Sequence, residues 1–140
     1  MIRSDRTPWH LWAIGIVTLL FNAVGIFSYL SAQTGNLEAA GMTSDQIAFF
    51  ESFPVWAHAV WALGVWGAFA GSILLLSRRR WAVASFAVAT IGLIGTTYFE
   101  TIVADMPEEL RNPALLVTIW ISTIGSLVYA MRMRSVGVLR

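Results

Sequence analysis

Hydrophobic residues form four long runs in this chain, and polar residues are concentrated in the short segments between them. The run over residues 55–77 contains no Asp, Glu, Lys or Arg. As a helix rising about 1.5 Å per residue, it would extend about 34 Å. That length is enough to cross the hydrocarbon core of a bilayer, which is about 30 Å thick. The pattern predicts membrane-spanning helices over about residues 9–30, 55–77, 81–101 and 113–131.

Small and polar residues recur within these runs at spacings of three and four, which places them on one face of each helix. In the first run they are Gly15, Thr18, Asn22, Gly25 and Tyr29, and in the fourth they are Thr118, Ser122, Gly125 and Tyr129. We expect such faces to form helix contacts, because small residues let backbones approach closely in lipid. The GxxxG pair in the second run predicts a seam with another helix of this chain or of a second chain. The predicted helix-packing residues are Gly15, Gly25, Gly64, Gly67, Gly71, Gly92 and Gly125.

The first long connection, residues 31–54, begins with the polar turn SAQTGN and continues into an amphipathic segment. Thr43 or Ser44 is suited to cap a short helix over about residues 44–52. Its apolar side predicts that it lies in the headgroup region or covers one end of the bundle. The predicted fold class is therefore all-α. A single membrane domain, residues 1–140, forms an up-down four-helix bundle with a short interfacial helix in its first outer loop.

Arginine distribution predicts the orientation of the bundle in the membrane. The termini and the turn at Arg78, Arg79 and Arg80 carry eight arginines and one acid. The other two loops, together with Glu100, carry seven acids and one arginine. Because loops on the cytoplasmic side are enriched in basic residues, both termini and the arginine turn are predicted to be cytoplasmic.

Composition narrows the classes of function. With 57% hydrophobic and 12% charged residues, the chain has the composition of a membrane protein. The absence of cysteine excludes disulfides, thiolate metal sites and cysteine nucleophiles. The arginines are distributed by topology rather than gathered on one face, so nucleic acid is not a predicted partner.

Several polar residues fall in the half of the spans nearest the acidic loops, where they would line a cavity open to the outside. The predicted ligand-binding residues are Asn22, Tyr29, His58, Tyr98, Glu100 and Thr118. Polar groups inside a membrane are costly and are often functional. The alternative interpretation is that Asn22 bonds another helix, and that His58 and Glu100 lie near enough to the boundary to be hydrated.

No motif for a catalytic site or a metal site occurs in the sequence. His10 and His58 are predicted to lie on opposite sides of the membrane, which excludes a haem ligated by both. No cofactor is predicted, although the aromatic-rich helices are compatible with a bound lipid, quinone or carotenoid. A quinol site at His58 and Glu100 is an alternative, because a quinol needs a proton acceptor at the membrane edge.

Four local motifs resemble those of one family. They are Gln33-Thr34, Phe53-Pro54-Val55-Trp56 at the start of the second span, WALGVWG at Trp61–Gly67, and the arginine turn at residues 78–80. They resemble an uncharacterised family of small four-helix bacterial inner-membrane proteins that often carry the name sugar transporter. The layout is also loosely similar to that of DoxX-like proteins. The resemblance implies a multi-pass protein of the bacterial inner (cytoplasmic) membrane.

The leading prediction for function is a non-enzymatic accessory or oligomeric subunit of a membrane assembly. Its partners would be membrane lipids and other membrane subunits, or further copies of itself. One alternative is a transporter for a sugar-like small solute or a lipid-like ligand, using the predicted cavity. A second alternative is a component of a quinol-linked membrane oxidoreductase.

Overall fold

The computed structural model describes residues 6–104, 106, 108 and 111–140, and these residues are helical without a β-strand. The α-helices are α1 (Trp9–Gln33), α2 (Ser44–Glu51), α3 (Val55–Leu76), α4 (Trp81–Tyr98) and α5 (Pro113–Ser135). A 3-10 turn, Leu37–Ala40, precedes α2, and a π-helical turn, Phe99–Val103, extends α4. Four residues that enter the predicted charge asymmetry lie outside the described residues: Arg3, Asp5, Asp105 and Glu109.

In the part of the chain that the structure describes, four helices are long and apolar enough to cross a membrane, namely α1, α3, α4 with its π-helical turn, and α5. Each span packs against the next with opposite direction, in the order α1, α3, α4, α5. This arrangement confirms the predicted all-α, up-down four-helix bundle. One end of the bundle carries the described chain termini and the α3–α4 turn, and is called the termini end below. The other end carries residues 34–54 and the described residues 104, 106, 108, 111 and 112, and is called the loop end.

The small and polar face of α1 packs along α3. The facing pairs are Gly15–Leu76, Thr18–Ser72, Asn22–Ala68, Gly25–Val65 and Tyr29–Trp61. Residue numbers rise along α1 as they fall along α3, so the two helices are antiparallel. Val17, Leu20 and Val24, on other faces of α1, are exposed. This division between faces is the one that the spacing of three and four predicts.

The backbones of α3 and α4 approach very closely. A Cβ atom built on Gly92 would lie 2.3 Å from the main-chain nitrogen of Gly64, and one built on Gly67 would lie 3.0 Å from the nitrogen of Ala89. Ser85 joins the two helices by donating its hydroxyl to the Gly67 carbonyl at 2.7 Å. The GxxxG seam of α3 is therefore filled by α4 of the same chain.

The helix α5 packs mainly against α4 and has few contacts with α1. Its buried residues are Thr123, Ser126, Ala130 and Met133. Trp120 donates its indole N–H to the hydroxyl of Thr97 on α4 at 3.3 Å. The predicted stripe through Thr118 and Ser122 lies on another face of α5 than these buried residues, and a groove separates it from α1.

Main-chain hydrogen bonds close the termini end. Arg80 donates its N–H to the carbonyl of Arg140 at 2.9 Å, and Arg140 donates its N–H to the carbonyl of Arg78 at 2.8 Å. The C-terminal segment therefore lies against the α3–α4 turn. The largest buried cluster lies at this end and contains Leu11, Leu75, Ala82, Phe86, Ala130, Met133 and Leu139.

The helix α2 covers the loop end of the bundle. It begins with a capping box, in which the Thr43 hydroxyl accepts the N–H of Gln46 at 3.3 Å and the Gln46 side-chain oxygen accepts the N–H of Thr43 at 3.0 Å. Phe50 stacks on Trp61 of α3 with ring centroids 5.5 Å apart, and Phe53 is buried. The aromatic side of α2 was predicted to lie in the headgroup region or to cover one end of the bundle. These contacts show that it covers the end of the bundle.

Candidate functional site

The structure places the six residues predicted to bind a ligand in four different surroundings. Asn22 is engaged between α1 and α3, where its Nδ2 donates to the Ala68 carbonyl and to the Ser72 hydroxyl, both at 3.0 Å. Ser72 in turn donates to the Thr18 hydroxyl at 3.0 Å. Thr18 donates to the carbonyl of Ile14 at 2.7 Å. This network of hydrogen bonds joins the two helices. Inside a bilayer, no water is present to hydrogen-bond these polar groups instead.

Tyr29 and His58 belong to the aromatic cluster at the loop end. The Tyr29 ring meets Trp61 edge to face, with centroids 5.2 Å apart. His58 Nδ1 lies 3.0 Å from Nε2 of Gln33. The amide nitrogen of Gln33 donates, so Nδ1 of His58 accepts in this contact. Gln33 thereby connects the end of α1 to α3.

Tyr98 and Glu100 lie at the loop end of α4. Tyr98 is exposed, and Glu100 is half-buried within the π-helical turn. Glu100 is the sole carboxylic acid in the four candidate spans. Within the described part of the chain, its carboxylate has no hydrogen bond or ion pair, and none joins it to His58. The predicted pairing of His58 with Glu100 in a quinol site therefore has no direct contact to support it.

Thr118 lines a groove between α1 and α5. The groove has a volume of about 330 Å³ and is lined by Val17, Thr18, Phe21, Thr118, Ile121 and Ser122. The Thr118 hydroxyl donates to the carbonyl of Ala114 in its own helix at 2.7 Å. Among the described residues, the Ser122 hydroxyl has no hydrogen-bond partner. The groove is thus largely apolar, with hydroxyl groups on both of its walls.

The helices α1 and α5 meet near the termini end. There His10 Nδ1 and the Tyr129 hydroxyl form a hydrogen bond, and the two rings pack edge to face with centroids 5.6 Å apart. The antiparallel register set by this pair brings Thr18 level with Ile121. Toward the loop end the two helices have no comparable polar contact in the described residues.

The glycines of the spans differ sharply in what surrounds them. A Cβ built on Gly15, Gly71 or Gly95 would lie 2.4, 2.7 or 2.9 Å from a side chain of another helix. Gly25 and Gly64 would meet neighbouring helices at 3.5 and 3.6 Å. A Cβ on Gly125 would meet nothing within 4 Å. The helix contact predicted for Gly125 is thus absent within the described chain, and its face of α5 is open.

We call the surface formed by Thr118, Ser122 and Gly125 the open face of α5. It borders the groove and consists of small residues, whereas most exposed positions of the spans carry large aliphatic or aromatic side chains. The apolar groove residues Val17, Phe21 and Ile121 were not predicted from the sequence. Nothing distinguishes them there from other lipid-facing residues.

Replacing Asn22 by leucine removes two hydrogen bonds between α1 and α3 while keeping a side chain of similar size. Interhelical hydrogen bonds in membranes contribute about 0.6 kcal/mol on average and up to about 1.7. We expect Asn22→Leu to lower the free energy of unfolding by about 1–2 kcal/mol. The measurement is reversible unfolding in mixed micelles containing SDS.

The matched control for Asn22→Leu is Thr90→Val. The Thr90 hydroxyl donates only to the Phe86 carbonyl in its own helix, at 2.9 Å. Its loss should change stability by less than the loss of a bond between helices. Equal stability of Asn22→Leu and the unsubstituted chain would contradict a packing role for Asn22.

The described residues contain no group of three or more His, Cys, Asp or Glu side chains that would hold a metal ion. The groove between α1 and α5 is the place where an apolar molecule or helix would fit, and the hydroxyls on its walls would supply hydrogen bonds. No family model, curated protein or solved structure matches this chain.

Proposed function

We propose that this multi-pass membrane protein is a non-enzymatic accessory or oligomeric subunit. It binds a membrane-spanning helix of another subunit through the open face of α5. The observation that carries this proposal is the open space around Gly125, compared with the close contacts of the glycines in α1, α3 and α4.

The physical argument rests on how helices associate in lipid. Lipid tails are as apolar as leucine, so association depends on close packing and on hydrogen bonds between helices. Large side chains on α1, such as Leu20, already pack well against lipid. A face of Thr118, Ser122 and Gly125 leaves a shallow depression that a second helix fills better than a lipid tail. The unpartnered Ser122 hydroxyl adds a polar group for that helix to bond.

The sequence leaves open whether the Gly67–Gly71 strip contacts a helix of this chain or of a second chain. Gly67 lies against Ala89, and a Cβ on Gly71 would lie 2.7 Å from the Phe86 ring. Because α4 occupies this strip, a partner helix has to use another surface. The open face of α5 is a surface with the same small-residue character that remains free of helix contacts in the described chain.

Enlarging the open face tests this proposal. We expect Gly125→Leu to release the protein from its partner, because the added side chain fills the space that the partner helix occupies. The measurement is native mass spectrometry of protein extracted gently from its own membrane. The matched control is Ala70→Leu, which adds a similar volume at an exposed position of α3. An unaltered complex in Gly125→Leu, or a monomer in the unsubstituted protein, would contradict the proposal.

A thiol at the same face identifies the partner. The chain has no cysteine, so Ser122→Cys introduces a single reactive group. A cross-link between two copies would indicate a homo-oligomer, and a cross-link to another polypeptide would indicate a mixed assembly. Both outcomes support a subunit role.

A lipid-like ligand in the α1–α5 groove is the second candidate. It is favoured by the volume of about 330 Å³ and by the apolar lining with hydroxyls at its edges. A monomer that retains a defined small molecule in the same mass spectra would favour this candidate over the subunit. A role in the transport of a sugar-like solute would require further polar groups in the groove.

The orientation and the cellular membrane belong to the same proposal. The charge asymmetry around Arg78, Arg79 and Arg80 supports cytoplasmic termini. The resemblance of the local motifs supports the bacterial inner membrane. Cysteines placed at the termini and labelled in intact cells with a membrane-impermeant reagent would check the orientation.

A further inference from the structure

A small basic pocket lies between α4 and α5 at the termini end, on a side of α5 different from the open face. It has a volume of about 170 Å³ and is lined by Arg80, Trp81, Ala84 and Arg134. The two arginines come from different parts of the chain: one precedes α4 and the other lies in the last turn of α5. The fold therefore brings two guanidinium groups to the edge of a single concave site.

Main-chain contacts hold this pocket in place. The N–H of Arg80 donates to the carbonyl of Arg140 at 2.9 Å, which fixes the turn before α4. The Arg80 guanidinium lies over the Trp81 ring, 5.9 Å from its centroid. Such a cation–π contact orients the guanidinium without neutralising it. The first arginine is thus positioned by the fold and keeps its full charge.

The described part of the chain provides no ion pair for Arg80 or Arg134. Its acidic side chains belong to the loop end, where Glu38, Asp45, Glu51, Glu100 and Glu108 lie. Both arginines are exposed residues. Two like charges beside one concave site repel each other, so an anion placed between them lowers the electrostatic energy. Guanidinium groups bind phosphate oxygens with paired hydrogen bonds.

The position of the pocket favours a lipid as the source of that phosphate. Trp81 is the first residue of a membrane span and is 63% exposed, as expected for an indole at the boundary between lipid and water. Ala84 lies one turn further into the span and provides a small apolar surface. The pocket thus has a charged rim at headgroup depth and an apolar side toward the acyl chains.

We propose that this pocket binds the phosphate of an anionic phospholipid headgroup, held between Arg80 and Arg134. Basic pockets between spans are known as sites for such headgroups. The site is independent of the subunit role proposed above, because it involves neither the open face of α5 nor the groove with α1.

The test compares lipid binding by the purified protein in nanodiscs of phosphatidylcholine with and without phosphatidylglycerol. We expect phosphatidylglycerol to remain bound in native mass spectra. Arg80→Gln or Arg134→Gln should each weaken its binding about tenfold, since each removes charge-assisted hydrogen bonds. Raised salt should weaken binding as well, because the site is exposed. The matched control is Arg132→Gln, which removes the same charge from the last turn of α5 outside the pocket.

A second pair of variants tests the site without changing the charge. Ala84→Phe should fill the pocket and weaken binding, whereas Val88→Phe, one turn further along α4, should not. Equal phosphatidylglycerol binding by Arg80→Gln, Arg134→Gln and Arg132→Gln would overturn the proposal. Equal occupancy by inorganic phosphate in detergent would overturn the assignment to a lipid headgroup.

Discussion

Replacing Gly92 by alanine is expected to separate α3 from α4 and to lower the free energy of unfolding by about 3 kcal/mol or more. The new Cβ would lie 2.3 Å from the nitrogen of Gly64 and 2.7 Å from the carbonyl oxygen of Val60. Both are main-chain atoms of α3, so no side-chain rotation relieves the overlap. The helices have to move apart, and the contacts along the whole seam weaken together. Unfolding in SDS-containing micelles measures the loss.

The matched control for Gly92→Ala is Gly125→Ala, which makes the same chemical change in another span. A Cβ on Gly125 meets nothing within 4 Å, and alanine favours a helix over glycine by about 1 kcal/mol in water. Gly125→Ala should therefore leave stability unchanged or raise it. Gly64→Ala is an intermediate case, because its nearest contact would be at 3.6 Å. Similar stabilities for Gly92→Ala and Gly125→Ala would contradict the close approach of α3 and α4.

The sequence predicted the seam but not the helix that fills it. Spacing of three and four identifies the face of α3 that carries Gly67 and Gly71, and the face of α4 that carries Ala89 and Gly92. Small residues favour close approach to any helix, so the pattern does not say whether the partner belongs to the same chain. The structure supplies the missing information through contacts such as that between Ser85 and the Gly67 carbonyl.

The site was harder to predict than the fold for a related reason. Helical rise gives the depth of Asn22, His58 and Thr118 in the membrane, and periodicity gives the face of each helix on which they lie. Neither gives the rotation of one helix relative to another. In the structure Asn22 hydrogen-bonds to α3, His58 lies beside Gln33, and Thr118 faces the groove.

The α5 helix illustrates the same limit. Its sequence contains two stripes of small and hydroxyl residues, and both are plausible packing faces. The stripe with Thr123 and Ser126 packs against α4, whereas the stripe with Ser122 and Gly125 remains open. Both stripes follow the spacing of three and four, so periodicity does not distinguish between them. Which of them packs depends on the shape of α4, and the sequence of α5 holds no information about that shape.

Replacing Phe86 by alanine is the other change with a large expected effect. Phe86 is fully buried on α4, in the cluster that also holds Leu75 and Met133. Removing its ring leaves a cavity bounded by α3, α4 and α5. Large-to-small substitutions of this kind cost about 3–5 kcal/mol in water-soluble proteins. We expect Phe86→Ala to lower the free energy of unfolding by about 3 kcal/mol. The packing contacts of the ring are lost without replacement. The transfer of the side chain out of water contributes less to stability in lipid than in a water-soluble protein.

The exposed Phe27 provides the control for Phe86, and Gly71 provides a sharper test of the geometry. Phe27→Ala removes an identical ring from the lipid-facing side of α1, where the side chain is 53% exposed, and should change stability little. A Cβ on Gly71 would lie 2.7 Å from the Phe86 ring. Gly71→Ala should thus destabilise the unsubstituted protein but be tolerated in Phe86→Ala, where the added methyl group enters the cavity. Because the two sites are in contact, their effects should not be additive. Additive free energies across this double-mutant cycle would contradict the packing of Phe86 on Gly71.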